Sequence, residues 1–193
     1  MNDTITKPFL SIPQKIHELS AGKGSLLIAI DGRCSSGKTT LATYLKEDLG
    51  CNVIPMDHFF LQPHMRTKER MSQPGGNVDY ERFLAEVLLP LTKGKSFSYR
   101  PYNCHIQQLD NAVSVNPSPI TIVEGSYSCH PQLRAYYDYC IFLTTSYENQ
   151  LERIAARNGS HGLTVFKERW IPLEELYFEK MDIANQCDIC LTT

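Results

Sequence analysis

The stretch Gly32-Arg33-Cys34-Ser35-Ser36-Gly37-Lys38-Thr39 fits G-x-x-x-x-G-K-[ST] in full, and it sits between an apolar run and a helical pattern. A strand must therefore deliver the chain to this loop, and a helix must leave from it. Gly32 and Gly37 permit backbone conformations, and an approach to phosphate, that a Cβ would block. Successive amides through Cys34, Ser35 and Ser36 point into the loop, and unpaired N–H groups at the helix start, as far as Thr40, add positive potential. Lys38 is placed to reach β- and γ-phosphates, and the Thr39 hydroxyl to bind Mg2+. The loop predicts a nucleoside triphosphate site with ATP and Mg2+ as cofactors. A thiol at such a helix N-terminus is expected to have a lowered pKa, which bound nucleotide would shield at Cys34.

Around the loop, short apolar runs bounded by turn residues alternate with helical patterns. Residues 26–30, 52–55, 120–123, 139–143 and 188–191 read as buried strands. Residues 39–49, 146–157 and 172–185 read as helices, and Phe9, Ile12, Ile16 and Leu19 mark one face of an opening helix within residues 1–21. Asp79 stands at an N-cap position ahead of Phe83, Leu84, Val87, Leu88 and Leu91. Residues 96–116 carry two antiparallel strands with a long connection. The predicted fold is α/β, the three-layer phosphate-loop NTPase arrangement. It has a five-stranded parallel sheet flanked by helices, an antiparallel hairpin insertion and a helical lid at residues 153–170. One domain spans the 193 residues, since no Pro/Gly/Ser linker divides them.

Composition excludes several classes. The net charge of -2 argues against a nucleic-acid binder working by bulk charge. No apolar run approaches the roughly 18 residues of a membrane span, and the first twenty residues do not read as a signal peptide. Seven scattered cysteines suit a reducing, cytoplasmic setting better than a zinc site, and Cys187-x-x-Cys190 lacks the strand-to-helix setting of a redox pair. No D-x-x-G, N-K-x-D or L-S-G-G-Q stretch occurs, which removes guanine switch proteins and transporter ATPases. A small phosphotransferase remains, and a homo-oligomer is compatible with the composition.

Asp57 falls just past the C-terminal end of a short strand, the crevice where open α/β sheets bind ligands. A carboxylate there can orient an acceptor hydroxyl and take its proton, or simply cap a turn. Glu124 ends a strand beside the loop, where it holds Mg2+ through water or faces a backbone amide. Arg153 and Arg157 share one helix face ahead of the Gly-rich stretch at 158–162, a hinge pattern, and Arg169 lies beyond it. Phe59 and Phe60 wall a pocket or fill the core.

The order of these pieces resembles the uridine kinases, with their pantothenate kinase and phosphoribulokinase relatives. Asp57-His58-Phe59-Phe60 is similar to that family's D-x-F-[YF], and Asn77-Val78-Asp79-Tyr80 to its N-F-D-H-P. Tyr99-Arg100-Pro101-Tyr102-Asn103 resembles its P-x-Y-D, Val123-Glu124-Gly125 its E-G, and His130-Pro131-Gln132-Leu133-Arg134 its H-P-x-L-R. The likeness runs from about residue 22 to the end of the sequence. It implies transfer of the γ-phosphoryl of ATP to a primary hydroxyl of a small molecule such as uridine or cytidine. Asp57, Lys38 and Arg157 would be catalytic, with Arg153 on the nucleotide and Thr39 and Glu124 on the metal. Phe59, Asp79, Tyr102, His105 and Arg169 would join Asp57 at the acceptor. Tyr80, Glu81 and Asn103 depart from the family pattern, and His105 comes early, all in acceptor segments. A pantothenate- or sugar-like acceptor, or an ATP-binding regulator without kinase activity, are the alternatives.

Overall fold

The computed structural model describes residues 7–193; the first six residues of the expected 1–21 helical segment lie outside them. The described residues hold nine strands: β1 Leu26–Gly32, β2 Asn52–Pro55, β3 Phe97–Tyr99, β4 Tyr102–Asn103, β5 Gln108–Leu109, β6 Val113–Val115, β7 Ile120–Glu124, β8 Tyr139–Thr144 and β9 Ile189–Thr192. Five of them form one parallel sheet in the order β2-β7-β1-β8-β9. Helices cover both faces, so β1, β7 and β8 are buried throughout their central residues and read as predominantly apolar runs.

Two cores result. On one face Phe9, Ile12 and Ile16 pack with Leu41, Ala42 and Leu45 of the Lys38–Leu49 helix against Ile28, Ile30 and Ile122. On the other, Phe59, Phe83, Val87, Leu88, Leu133, Tyr177 and Phe178 pack against Ala29, Val123 and Phe142. Residues 96–116 hold two antiparallel pairs rather than one, β3 with β6 and β4 with β5. The last strand starts one residue later than its apolar pattern suggests. Asp188 is taken up as a turn acceptor for the Cys140 N–H at 2.7 Å and an ion-pair partner of Arg134 at 3.4 Å.

Two helical stretches run through a widened turn. Tyr80–Phe83, Leu84–Leu88 and Leu89–Thr92 are continuous, with the Leu89 N–H reaching back five residues to Leu84. Phe166–Trp170 does the same, with Ile171 bonded to Phe166. Pro90 and Pro172 follow directly, and neither can donate the next helical bond; the π-turn accommodates the missing donor without ending the helix. The segment expected as a helical lid at residues 153–170 is thus helical, and the Gly-rich stretch at 158–162 carries its one non-helical residue. Tyr147–Val165 is kinked at Gly159, at φ 70° and ψ -178°, and then continues into the widened turn and on into Ile171–Lys180. No described helix is long and apolar enough to cross a membrane.

Candidate active site

The C-terminal ends of β1, β7 and β2 open onto a cleft of about 940 Å3. Gly32 closes β1 at φ 135°, where a Cβ would run into the Leu143 carbonyl of β8. The loop then turns through Ser35, itself in the left-handed region, and the helix starts after Gly37. Cys34, Ser35, Ser36, Gly37, Lys38, Thr39 and Thr40 line the cleft, while Gly32 lies behind it. Ser35 Oγ and Ser36 Oγ are buried without a partner, and the Ser35 and Gly37 N–H groups have no acceptor among the described residues. Orphaned donors around a loop of this shape fit an anion of phosphate geometry. The Lys38 ammonium meanwhile folds onto the Gly32 and Arg33 carbonyls at 2.7 and 2.8 Å.

Opposite the loop, Thr39 Oγ1 stands 3.3 and 3.4 Å from the two oxygens of Glu124. A hydroxyl and a carboxylate so placed fit Mg2+, which takes one or two protein oxygens and completes its shell with water and phosphate. No group of three or more His, Cys, Asp or Glu side chains among the described residues could hold a metal ion alone. Glu124 is pushed above its ordinary carboxyl range by burial and by the charge of Asp57, with Lys38 opposing. Asp57 follows β2 in the Met56–Phe59 turn and faces into the cleft. Enclosure by the cleft walls raises its pKa as well, against the pull of Lys38, His58 and Arg157.

The helical arm brings Arg153, Arg157 and Arg169 to the same cleft. Arg153 donates to the Ser35 carbonyl at 3.2 Å and to Thr193 Oγ1 at 2.9 Å, and Arg157 to Asn158 Oδ1 at 2.8 Å. His105 also lines the cleft; Phe59, Asp79 and Tyr102 do not. Phe59 is core, edge-on to Phe83 at 4.9 Å and beneath the Arg82 guanidinium, while Phe60 takes the cleft wall. Asp79 caps the Arg82 N–H at 3.0 Å and pairs with Arg82 Nε at 3.5 Å, both local uses that turn it from the cleft. The Tyr102 hydroxyl accepts from Arg66 at 2.9 Å under a buried ring.

Three residues outside the motifs shape the site. Asp31, the last residue of β1 before Gly32, is fully buried and accepts from the Gly32, Tyr127 and Cys129 N–H groups and the Tyr177 hydroxyl. Glu174 accepts from the Cys34 N–H at 2.9 Å and Ser126 Oγ at 2.7 Å, and Arg33 makes a fork of 2.7 and 2.8 Å with Glu175. The helix that follows the arm thus grips the first half of the phosphate loop. The Cys34 thiol corrects the expectation made for it: burial and the neighbouring Glu174 push its pKa up to about 12. Cys187 meets Cys129 at 3.8 Å rather than Cys190, which is exposed on β9. An acid inside the run of residues 26–30 and its sequel was a visible signal for Asp31; the two adjacent glutamates of a helix gave none.

Loop, sheet order and helical arm define the fold of the phosphate-loop kinases. No protein-family profile matches the chain. A possible uridine kinase from Bacillus stearothermophilus superposes with TM-score 0.68 at 19% identity, over 94% of this chain and 100% of that one. A candidate fructose transport system kinase from Silicibacter sp. TM1040 gives 0.72 at 20%, over 95% and 98%. A circularly permuted kinase candidate from Saccharomyces cerevisiae gives 0.63 at 13%, over 96% and 99%. The chain shares the fold of the uridine kinase-like phosphate-loop kinases.

Proposed function

We propose that this chain is an ATP-dependent phosphotransferase that moves the γ-phosphoryl group to a primary hydroxyl of a small molecule. The observation that carries the reading is the meeting of Lys38, Thr39, Glu124 and Asp57 around one cleft, with Arg153, Arg157 and Arg169 on its other side. The loop amides and Lys38 bind and orient the phosphates. Asp57 holds the acceptor hydroxyl in line; its oxygen bonds to the γ-phosphorus as the bond to the β–γ bridging oxygen breaks. The displaced oxygen leaves with ADP, and Asp57 takes the hydroxyl proton late in the step. Arg157 and its neighbours neutralise the transferring group. Mg2+, held by Thr39 and Glu124, would supply further charge neutralisation.

Uridine and cytidine are the acceptors the resemblance implies, and the name of the Silicibacter neighbour adds a sugar. The outward turn of Asp79 and Tyr102 supports an alcohol other than a nucleoside. Acceptor-dependent ADP release tests the reading: release that needs an alcohol supports it, and tight ATP binding with no acceptor dependence supports a regulator instead.

Two expected outcomes belong to this site. The raised pKa of Asp57 makes its base form appear with rising pH, so kcat/KM should climb through an apparent pKa above 3.8. The limb should vanish in Asp57→Asn, and a profile flat through the carboxylate range would remove the base assignment. Glu124→Gln should raise the Mg2+ concentration for half-maximal turnover by roughly 10–100-fold. An unchanged Mg2+ titration would assign Glu124 to a structural contact.

A further inference from the structure

Arginines away from the cleft are mostly paired. Arg33, Arg70, Arg82 and Arg134 each have a carboxylate oxygen within reach, at 2.7, 2.6, 3.2 and 3.4 Å. Arg66 lines the cleft and, like Arg153, Arg157 and Arg169 there, has no carboxylate within 4.0 Å among the described residues. It is nevertheless fixed. Nε donates to the Leu61 carbonyl at 2.9 Å, Nη2 donates to the Tyr102 hydroxyl at 2.9 Å, and the guanidinium lies 5.7 Å from the centre of the Tyr102 ring.

Two neutral acceptors thus hold a half-buried cation without compensating its charge, and most of its five N–H groups stay unassigned. A guanidinium held in this way is prepared for a planar anion, because its side-chain entropy is already lost and its fork remains free. Arg66 shares the cleft lining with the apolar Phe60, Leu61 and Met71, and the Cys104 thiol feels the charges of both Asp57 and Arg66. This end of the cleft has the aromatic and aliphatic walls of an organic acceptor's seat, with a carboxylate for its hydroxyl and a cation for something else.

We infer that the phosphoryl acceptor is an anionic alcohol, its hydroxyl at Asp57 and its carboxylate or phosphate group on the Arg66 guanidinium. The inference rests on the phosphotransferase reading and names the acceptor's chemical class. The same position explains why the Tyr102 hydroxyl is turned to Arg66: it orients the anion seat and does not touch the acceptor.

Matched pairs test this with the full chain. Glycerate is assayed beside glyceramide, pantothenate beside panthenol, gluconate beside glucose, and fructose 6-phosphate beside fructose, with uridine as a neutral nucleoside. The charged member of at least one pair should exceed its neutral partner in kcat/KM by roughly 10–100-fold, the worth of a hydrogen bond to a charged group. Whether the hydroxy acids or the sugar phosphate respond identifies the head group. Arg66→Gln should raise KM for that acceptor and bring the pair within about threefold of each other, while Arg66→Lys, which keeps the charge but loses the fork, should retain only part of the preference. Equal or better turnover of the neutral alcohols overturns the inference and leaves the phosphotransferase standing. A charge preference that survives Arg66→Gln also overturns it, by locating the anion elsewhere. Absence of turnover with every charged and neutral compound of the panel counts against both readings. The wild-type comparison stands even if the variants fail to fold.

Discussion

Asp57→Asn is expected to lower acceptor-dependent turnover by roughly 10²–10⁴-fold while ATP still binds. The substitution is nearly isosteric, so the Met56–Phe59 turn and the cleft wall keep their shape. What is lost is the acceptor for the hydroxyl proton and the negative charge that orients the nucleophile. Nucleotide affinity depends on the loop amides, Lys38 and the arginines of the arm, none of which hydrogen-bonds to Asp57. Removal of the charge should also let the neighbouring Glu124 carboxyl ionise more easily, since Asp57 is one cause of its raised pKa. Turnover and nucleotide affinity, measured separately by ADP release and calorimetry, check the split. Loss of both together would mean that the residue holds the fold rather than the acceptor.

The largest stability effect is expected at Asp31. Its carboxylate joins three parts of the chain: the end of β1, the 125–130 turn after β7, and Tyr177 of the Ile171–Lys180 helix. Asp31→Ala leaves three buried N–H groups and a hydroxyl without an acceptor, and releases Tyr127 from a left-handed φ of 74°. A cost of about 3–5 kcal/mol follows, or about 10 °C in Tm for a chain of this size. Burial raises the Asp31 pKa from 3.8 to about 6, against the pull of the N–H groups, Lys38 and Tyr177. The folded state therefore holds more protons than the unfolded one between 3.8 and about 6, and stability from this group falls as pH rises through that window. Urea titrations should show Asp31→Asn flattening that segment of the profile. A Tm within about 2 °C of the parent for Asp31→Ala would contradict the account.

The strand, loop and helix from residue 26 to residue 49 were legible because backbone geometry dictates the residue types there, and Gly32 and Gly37 leave little choice. The sheet was legible for a related reason: strands buried on both faces carry few polar residues outside the site, so their apolar runs stand out. The acceptor end was not. Asp79 and Tyr102 occupy positions that resemble a known pattern, yet Arg82 and Arg66 engage them, and those partners are fixed by tertiary contacts that no spacing displays. Glu174 and Arg66 were hidden for the same reason. A glutamate in a helix and an arginine in a polar segment look like solvated charges until the chain returns them to the cleft. The Gly-rich stretch at 158–162 was legible because glycine alone takes the backbone conformation of Gly159 without strain, whereas the π-turn before Pro172 has no signal in the spacing.

The fate of a labelled γ-phosphoryl group tests the central claim most directly. With γ-labelled ATP, Mg2+ and an accepted alcohol, the account predicts that the label is recovered on the alcohol in step with ADP, and that Lys38→Met abolishes its movement. Label released as inorganic phosphate at the same rate with and without any alcohol, or retained on tightly bound ATP across the whole acceptor series, would contradict it.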